Sequence, residues 1–367
     1  MTNFLPLTRP DTRTVEERVI HEFRFSRPVL FLHRGHRILA APLDGIDLAL
    51  FEGIATRPDG SLTLSQEKTH ALGIEDKAEL SFALTAVGLP AARRLAFSRY
   101  RGKLPAHSPA PTAVKLAQAF CKAAGLPPAV ISTRIYAGDR LSRDLLRYDA
   151  WNGATQPDAL SEVEEVAKAR VPLPCDVEAR MVAFRQRGGM REHLAVIVGQ
   201  PDPRKPVPVR IHSSCLTGDV FGSLKCDCGD QLQQALHHLE SASGGVLIYL
   251  DQEGRGIGLS NKLRAYALQE AGLDTIDADE ALGFDSDERR FDVAAAILRA
   301  LGYRCILLLT NNPAKSEAMK AAGIMIAGTL SLAGRVTRHN RRYLETKVLR
   351  AGHTLDFMSL SSDPSSP

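Results

Sequence analysis

Between residues 193 and 310 the chain repeats one alternation: a short run of branched apolar residues, then a stretch with helical spacing. The runs are HLAVIVG, PVRIHS, VLIYLD and CILLLT. They are too short for ordinary helices and too apolar for one-sided strands, so they read as strands buried on both faces. Between them, QLQQALHHL sets Leu232, Leu236 and Leu239 on one helical face, and residues 259–271 and 288–301 carry the same spacing. Such an alternation buries a sheet under helices, which makes the fold class α/β.

A chain of 367 residues exceeds one average domain. Composition shifts over 152–175, where Gly153, Pro157, Pro172 and Pro174 flank the acidic segment SEVEEVAKA, read here as helical. The expectation is two α/β domains, 1–160 and 161–355, followed by a disordered Ser/Pro-rich tail, 356–367. In the first domain, residues 1–28 read as an arm or a short helix. Val29–Leu32 and Arg37–Ala40 read as strands. Residues 112–124 read as a helix capped by Thr112 and stopped by Gly125.

Composition removes several function classes. Hydrophobic residues at 44% and charged residues at 24% describe a globular chain. The net charge of +4 is spread out, so no basic block points to nucleic acid. No run approaches the roughly 18 apolar residues of a membrane span. The N-terminus lacks the basic-then-apolar pattern of a secretory leader. The expected location is cytoplasmic, with no membrane or nucleic-acid partner. The six cysteines are then not a disulfide framework.

Three of them, Cys215, Cys226 and Cys228, fall within fourteen residues. A Cys-x-Cys pair with a third cysteine upstream can set three thiolates around one soft divalent ion, and zinc fits best. Three protein ligands leave an open, catalytic position. His212, Cys175 or Cys305 as a fourth ligand would close the site and make it structural, and cysteines also occur as plain buried hydrophobes. Three polar constellations follow the cluster. Asp251-Gln-Glu-Gly-Arg-Gly-Ile-Gly258 lies between a strand and a helix, where backbone N–H groups and Arg255 suit an anion, or where an ordinary turn would serve. Asp287 and Arg289 sit at an expected helix start and are equally readable as cap and solvated charge. Thr310-Asn-Asn-Pro-Ala-Lys315 follows a strand end, where α/β sheets bind ligands, though a capped turn accounts for it as well.

Four segments together, HSSCLTGDVFGSLKCDCGDQL, DQEGRGIGLSNKLRAYALQ, LGFDSDERRF and LLTNNPAK, resemble GTP cyclohydrolase II across about residues 164–355. That family opens the guanine imidazole ring of GTP at the start of riboflavin synthesis. The resemblance implies one zinc per chain on Cys215, Cys226 and Cys228, and a Mg²⁺ accompanying the triphosphate. It implies release of formate and pyrophosphate. It also implies catalytic roles for Tyr266, beside the metal, for Asp287 as proton acceptor, and for Arg289 as nucleophile on the α-phosphate. Guanidinium chemistry makes a phosphate clamp the alternative for Arg289. GTP contacts carry over to Arg210, Ile211, His212, Ser213, Ser214, Gln231, Glu253, Gly254, Arg255, Thr275, Thr310 and Lys315, and the family implies a homodimer. Ser214 departs from the glutamate that many members carry, which leaves room for a homologue acting on another purine nucleotide. A zinc-stabilised nucleotide-binding regulator without turnover is the non-enzyme rival.

The N-terminal half resembles dihydroxybutanone-phosphate synthase in HRILAAPLDGIDLALFEGIA and in PAHSPAPTAVKLAQAFCKAAGLPPAVI. Its acidic run is reduced to Asp44 and Asp47, and Ala106-His107-Ser108-Pro109 stands where that family has Gly-His-Thr-Glu. The resemblance therefore implies a half that is silent in that reaction and serves stability, dimer contact or regulation.

Overall fold

The computed structural model describes residues 12–75, 78–149, 162–174, 178–186, 191–332 and 334–352. Cys175 and the expected 356–367 tail lie outside them. In chain order the first half runs α1 (Thr12–Arg24), β1 (Val29–His33), β2 (His36–Pro42), α2 (Leu48–Ala55), β3 (Ser61–Leu64), α3 (Gln66–Ala71), β4 (Leu80–Ala83), α4 (Leu89–Phe97), β5 (His107–Pro109), α5 (Thr112–Ala123), β6 (Val130–Arg134) and β7 (Arg147–Asp149). There follow β8 (Val163–Arg170), β9 (Ala179–Gln186), β10 (Glu192–Gly199), β11 (Val207–Ser213), α6 (Leu216–Asp219), α7 (Cys228–Ser241) and β12 (Gly244–Leu250). After a tight turn at Glu253–Gly256 come α8 (Leu259–Glu270), α9 (Thr275–Ala281), α10 (Asp292–Ala300), β13 (Cys305–Leu309), α11 (Pro313–Ala321), β14 (Met325–Leu330) and α12 (Arg341–Ala351).

The chain divides into two compact units. One comprises Met1–Ala159 together with Leu263–Asp287; the other comprises Leu160–Lys262 together with Glu288–Pro367. Each carries a seven-stranded sheet, so both are α/β.

The first sheet runs β5-β4-β3-β6-β2-β1-β7. Only β1 and β7 pair in parallel; the other neighbours are antiparallel. Helix α5 buries Ala113, Val114, Ala117, Phe120 and Cys121; of Leu116, Phe120 and Ala123, the face expected from helical spacing, Phe120 is fully buried and the other two are half-buried. Its cap differs from the expectation. Pro111 is the N-cap and Thr112 the first helical residue, with no side-chain cap bond. Proline's fixed φ, −62° here, sets the chain's entry into the helix but supplies no side-chain acceptor for the first-turn N–H groups. Gly125, at φ +77°, ends the helix as expected.

The second sheet runs β14-β13-β11-β12-β10-β9-β8. Strands β12, β11, β13 and β14 are parallel, and β8, β9, β10 and β12 antiparallel. Side chains alternate across it. Val207, Val209 and Ile211 join Val293, Ile297 and Met319 in one core, while Val196, Val198 and Leu247 meet Ala235 and Leu239 of α7 in another. Arg210 and His212 therefore point away from the Ile211 side.

Two expectations fail here. The segment SEVEEVAKA is not a helix: residues 163–170 form the edge strand β8, paired to β9 with a bulge between Glu165 and Ala167. Backbone pairing with β9 overrides the helical propensity of Glu, Ala and Lys. The exposed charges on β8 blunt further strand addition. The helix expected over 288–301 begins at Asp292 instead. Residues 288–290 are held out of the helix by Gln252, which exchanges hydrogen bonds with Arg290, and by Arg255, whose carbonyl accepts from Glu288 N. Arg289 therefore precedes α10 rather than opening it. Among the described residues no helix is long and apolar enough to cross a membrane.

Candidate metal centre and nucleotide site

The end of β11 delivers Cys215, α7 begins at Cys228, and Cys226 stands on the turn before it. The three sulfurs lie within 4.8 Å of one another and form the cysteine cluster able to hold a metal among the described residues. Cys215 Sγ and Cys226 Sγ are 3.7 Å apart. Ligands at about 2.3 Å from zinc in a tetrahedron stand roughly 3.8 Å apart, so the spacing fits that ion. The protonation pattern fits as well. Hydrogen bonds from Cys226 and Cys228, helped by Lys262, hold the Cys215 thiol far below its ordinary range. The same contacts to Cys215 push Cys226 and Cys228 up. A divalent cation bound here would favour the ionised form of all three thiols.

His212 is not aimed at the cluster through Nε2. That nitrogen lies 3.1 Å from both Asp219 carboxylate oxygens, and the ring stacks on Tyr249. Asp219 also accepts from Tyr249 Oη at 2.8 Å and from Cys215 N at 3.0 Å. One carboxylate thus fixes the strand end, the first cysteine and the helix α6 that follows. Burial pushes the His212 pKa down, against the opposing pull of Asp219. Gly218 closes the floor of the cluster. A Cβ there would stand 3.0 Å from Cys226 Sγ and 3.1 Å from Cys215 Sγ. Gly218→Ala is therefore expected to spread the sulfurs and weaken zinc binding by about 10-fold, the lower end of what outer-shell changes cost. Competition with a chromogenic chelator measures it.

Lys262, at the start of α8, reaches back 47 residues to this centre. Its ammonium donates to Cys215 Sγ at 3.0 Å and to Thr217 Oγ1 at 2.8 Å, and pairs with Glu253 Oε1 at 2.7 Å. Glu253 Oε2 accepts from Leu216 N at 2.6 Å. The Glu253 turn is conformationally forced: Gly254 and Arg255 both sit near φ +60°. Gly256, at φ +95°, would place a Cβ 2.7 Å from Glu288 O. Arg255, without glycine's freedom, holds its conformation at a cost of about 1–3 kcal/mol, a form of strain that clusters at ligand sites.

Arg210 is buried. It donates to Leu309 O at 3.0 Å and to Gln231 Oε1 at 2.6 Å, and its Nε has no partner. Burial pushes its pKa down to about 10, which leaves it cationic at neutral pH. Gln231 in turn donates to Asp227, which pairs with Lys347 at 2.9 Å. Lys315 donates to Ile211 O at 2.8 Å and, like Arg289, lies over the Phe291 ring. Thr310 Oγ1 accepts from Asn312 N at 3.0 Å. Ser214 Oγ accepts from Gln252 N at 3.1 Å, tying β11 to the Glu253 turn, and Ser213 Oγ is buried without a partner. The three cysteines, Glu253, Gly254 and Arg255 thus gather with Arg210, Gln231, Thr310 and Lys315 in the second unit. Tyr266 on α8, Thr275 at the first position of α9 and Asp287 belong to the first unit.

The sequence reading missed Asp219, Lys262, Gly218 and Tyr249. Asp219 and Gly218 fall inside the cysteine segment, and Lys262 inside the segment that follows the Glu253 turn, so all three could have been suspected from that alone; Tyr249 carries no local signal. It also missed His193. Buried on β10, His193 accepts from Asp251 N at 3.0 Å through Nδ1, while Nε2 lacks a partner. Burial pushes its pKa down to about 4. The unfolded imidazole, near 6.5, takes a proton that the native one refuses. Stability is therefore expected to fall as pH drops from about 6.5 towards 4, by on the order of 3 kcal/mol. Urea midpoints against pH check this, and His193→Asn, which keeps an acceptor, should flatten the slope.

A family model described as GTP cyclohydrolase II matches residues 164–331. The GTP cyclohydrolase-2 of Xylella fastidiosa is 41% identical over 355 residues, covering 94% of this chain and 88% of its own. The Histophilus somni protein of the same name is 50% identical over 194 residues, 53% of this chain and 89% of its own. Riboflavin biosynthesis protein RibBA of Thermotoga maritima is 50% identical over 190 residues, 52% of this chain and 48% of its own. A solved two-domain 3,4-dihydroxy-2-butanone 4-phosphate synthase from A. baumannii covers 80% of the chain at 15% identity and a TM-score of 0.29, too slight a likeness to inform the fold. With the Xylella relative aligned across nearly its whole length, the chain belongs to the GTP cyclohydrolase II family of hydrolases.

Proposed function

We propose that the chain hydrolyses GTP with zinc on Cys215, Cys226 and Cys228. It opens the guanine imidazole ring at C8, releases formate and removes pyrophosphate. The product is 2,5-diamino-6-(5-phosphoribosylamino)pyrimidin-4(3H)-one, and the step opens riboflavin synthesis. The observation that carries this reading is the three-thiol cluster at zinc spacing with the Glu253–Lys262 pair against one of its sulfurs. The ion supplies, when bound, a Lewis acid that makes water a nucleophile near neutral pH.

The chain's own groups do the rest. Glu253 and Lys262 form an ion pair beside Cys215. The unpartnered Nε of Arg210 is a buried donor for an incoming acceptor oxygen. Arg255 and Lys315 supply further positive charge for the triphosphate, with Gln231 and Thr310 as neutral contacts and Mg²⁺ as the counter-ion. Tyr266 assists at the base, Asp287 accepts a proton, and Arg289 acts on the α-phosphate as nucleophile or as clamp. Ile211, His212, Ser213, Ser214, Gly254 and Thr275 complete the contacts. The working form is a cytoplasmic homodimer. In the N-terminal half both surviving acidic residues are spoken for: Asp47 caps α2, and Asp44 is gripped by Arg264. His107 is exposed and packs on Phe82. This half therefore does not act on a sugar phosphate.

The test is a product assay on zinc-quantified protein with GTP and Mg²⁺, and ribulose 5-phosphate in a parallel tube. Formate and pyrophosphate in equal amounts, with nothing from the sugar phosphate, is the expected result. A full complement of zinc with an untouched GTP pool overturns the reading.

A further inference from the structure

Residues 263–287 follow the Glu253 turn in sequence yet pack with the N-terminal half, inside the first unit. Their apolar side chains are buried there: Ile276, Ala278, Leu282 and Phe284 are all at most 5% exposed. Helix α9 lies on α3. Polar clasps join the two segments. Arg264 makes a two-pronged ion pair with Asp44, at 2.9 and 2.8 Å, the geometry that fixes orientation best. Ser65, the N-cap of α3, donates to Gly283 O at 2.7 Å. Lys68, 2% exposed, donates to Ser98 O at 2.8 Å and to Ala281 O at 2.6 Å. Gly283 lets the chain approach this closely: its φ is +88°, and a Cβ would meet Ser65 Oγ at 3.0 Å and Pro128 Cγ at 3.2 Å.

The buried lysine is the least expected of these. Its ammonium donates to two carbonyls, and burial pushes its pKa down to about 7. An amine so placed is costly to bury, and what it holds is the C-terminal end of α9 and the end of α4. The clasped segment carries Tyr266, Thr275 and Asp287.

We propose that the N-terminal half is a docking platform for residues 263–287, with Asp44, Ser65 and Lys68 as positioning residues for the Tyr266, Thr275 and Asp287 segment. The proposal rests on the functional reading of those three residues. It gives the silent half a task in the same reaction: the carboxylate left from a reduced acidic run serves to anchor a helix. The half is then not removable. A loose 263–287 segment leaves the zinc ligands in place but misplaces the groups that must meet the substrate, and a shift of about 1 Å costs on the order of 100-fold in rate.

The full-length chain is tested as Asp44→Asn, Lys68→Met and the double variant, with Asp44→Glu as the conservative rescue. Hydrogen exchange read by mass spectrometry should show faster exchange across 263–287 by about tenfold or more, as for a segment released to local opening. Protection of β10–β13 and zinc content should stay as in the parent. The kcat for GTP should fall by about 100-fold in the double variant, more than KM rises, with partial recovery in Asp44→Glu. Unchanged exchange over 263–287 in all variants overturns the platform. Faster exchange with unchanged kcat overturns the positioning role. Should the double variant fail to fold, the near-isosteric Asp44→Asn decides alone. A parent protein without GTP turnover would sink the functional reading, while the exchange measurement would still decide whether the platform exists.

Discussion

Cys226→Ser is expected to reduce GTP turnover by about 10³-fold or more and to strip the chain of zinc, while leaving it folded. The rate loss follows from losing a Lewis acid that contributes several kcal/mol at the transition state, each 1.4 kcal/mol being about tenfold. Folding survives because the cluster is not part of the core. The large apolar cluster of the second unit is built from β9 to β13, α10 and α11, and α7 packs on the opposite face through Ala235 and Leu239. Of the three cysteines of the cluster, Cys215 is nearly covered, at 5% exposure, while Cys226 and Cys228 are half-buried. The serine keeps a polar side chain of similar size, so no cavity or orphaned charge is left. Metal analysis, circular dichroism and a formate assay on the same sample separate the cases. Loss of metal and turnover with an intact melting curve is the expected set. Global unfolding on substitution or chelation would make the ion structural, and a zinc-loaded, active variant would remove Cys226 from the ligand set.

The sequence carried the architecture where burial sets the pattern and hid it where pairing does. The runs around Val196, Ile248 and Leu308 are legible because both faces of a central strand are apolar, and the run around Ile211 because one face is, Arg210 and His212 taking the other. Strand β8 is not, because an edge strand exposed on both sides has no apolar face to display, and its Glu, Ala and Lys read as helix. Helix α10 starts late because Gln252, 38 residues upstream, captures the Arg290 backbone. The site divides likewise. Cysteines announce themselves by type and spacing. Lys262 is one polar residue on an amphipathic helix, and only the path of β11 and α8 brings it to Cys215. The packing of 263–287 on α3 is equally silent, since Lys68 and Ser65 look in sequence like an ordinary helix start.

Lys262→Met is expected to cost about 10²-fold in kcat/KM and to weaken zinc binding by about 10- to 100-fold, the range for groups that orient metal ligands. The ammonium links three things: the Cys215 sulfur, the Thr217 hydroxyl and the Glu253 carboxylate. Both members of the ion pair are nearly covered, with side chains 10% and 12% exposed. Removing the cation leaves Glu253 with Leu216 N and Gly254 N only. Breaking a buried pair from one side typically costs about 3–5 kcal/mol. Solvent reaching this site brings the loss towards the lower figure. Two effects should therefore appear together. The melting temperature falls, and the Cys215 thiolate loses the cation that favours its charged form, so zinc loading shifts to higher pH. The double variant Lys262→Met with Glu253→Gln separates them. It removes the orphaned carboxylate and should recover much of the stability, yet it restores neither zinc affinity nor turnover. Recovery of turnover along with stability would reduce the pair to a structural strut, and an unchanged zinc affinity in the single variant would detach Lys262 from the metal centre.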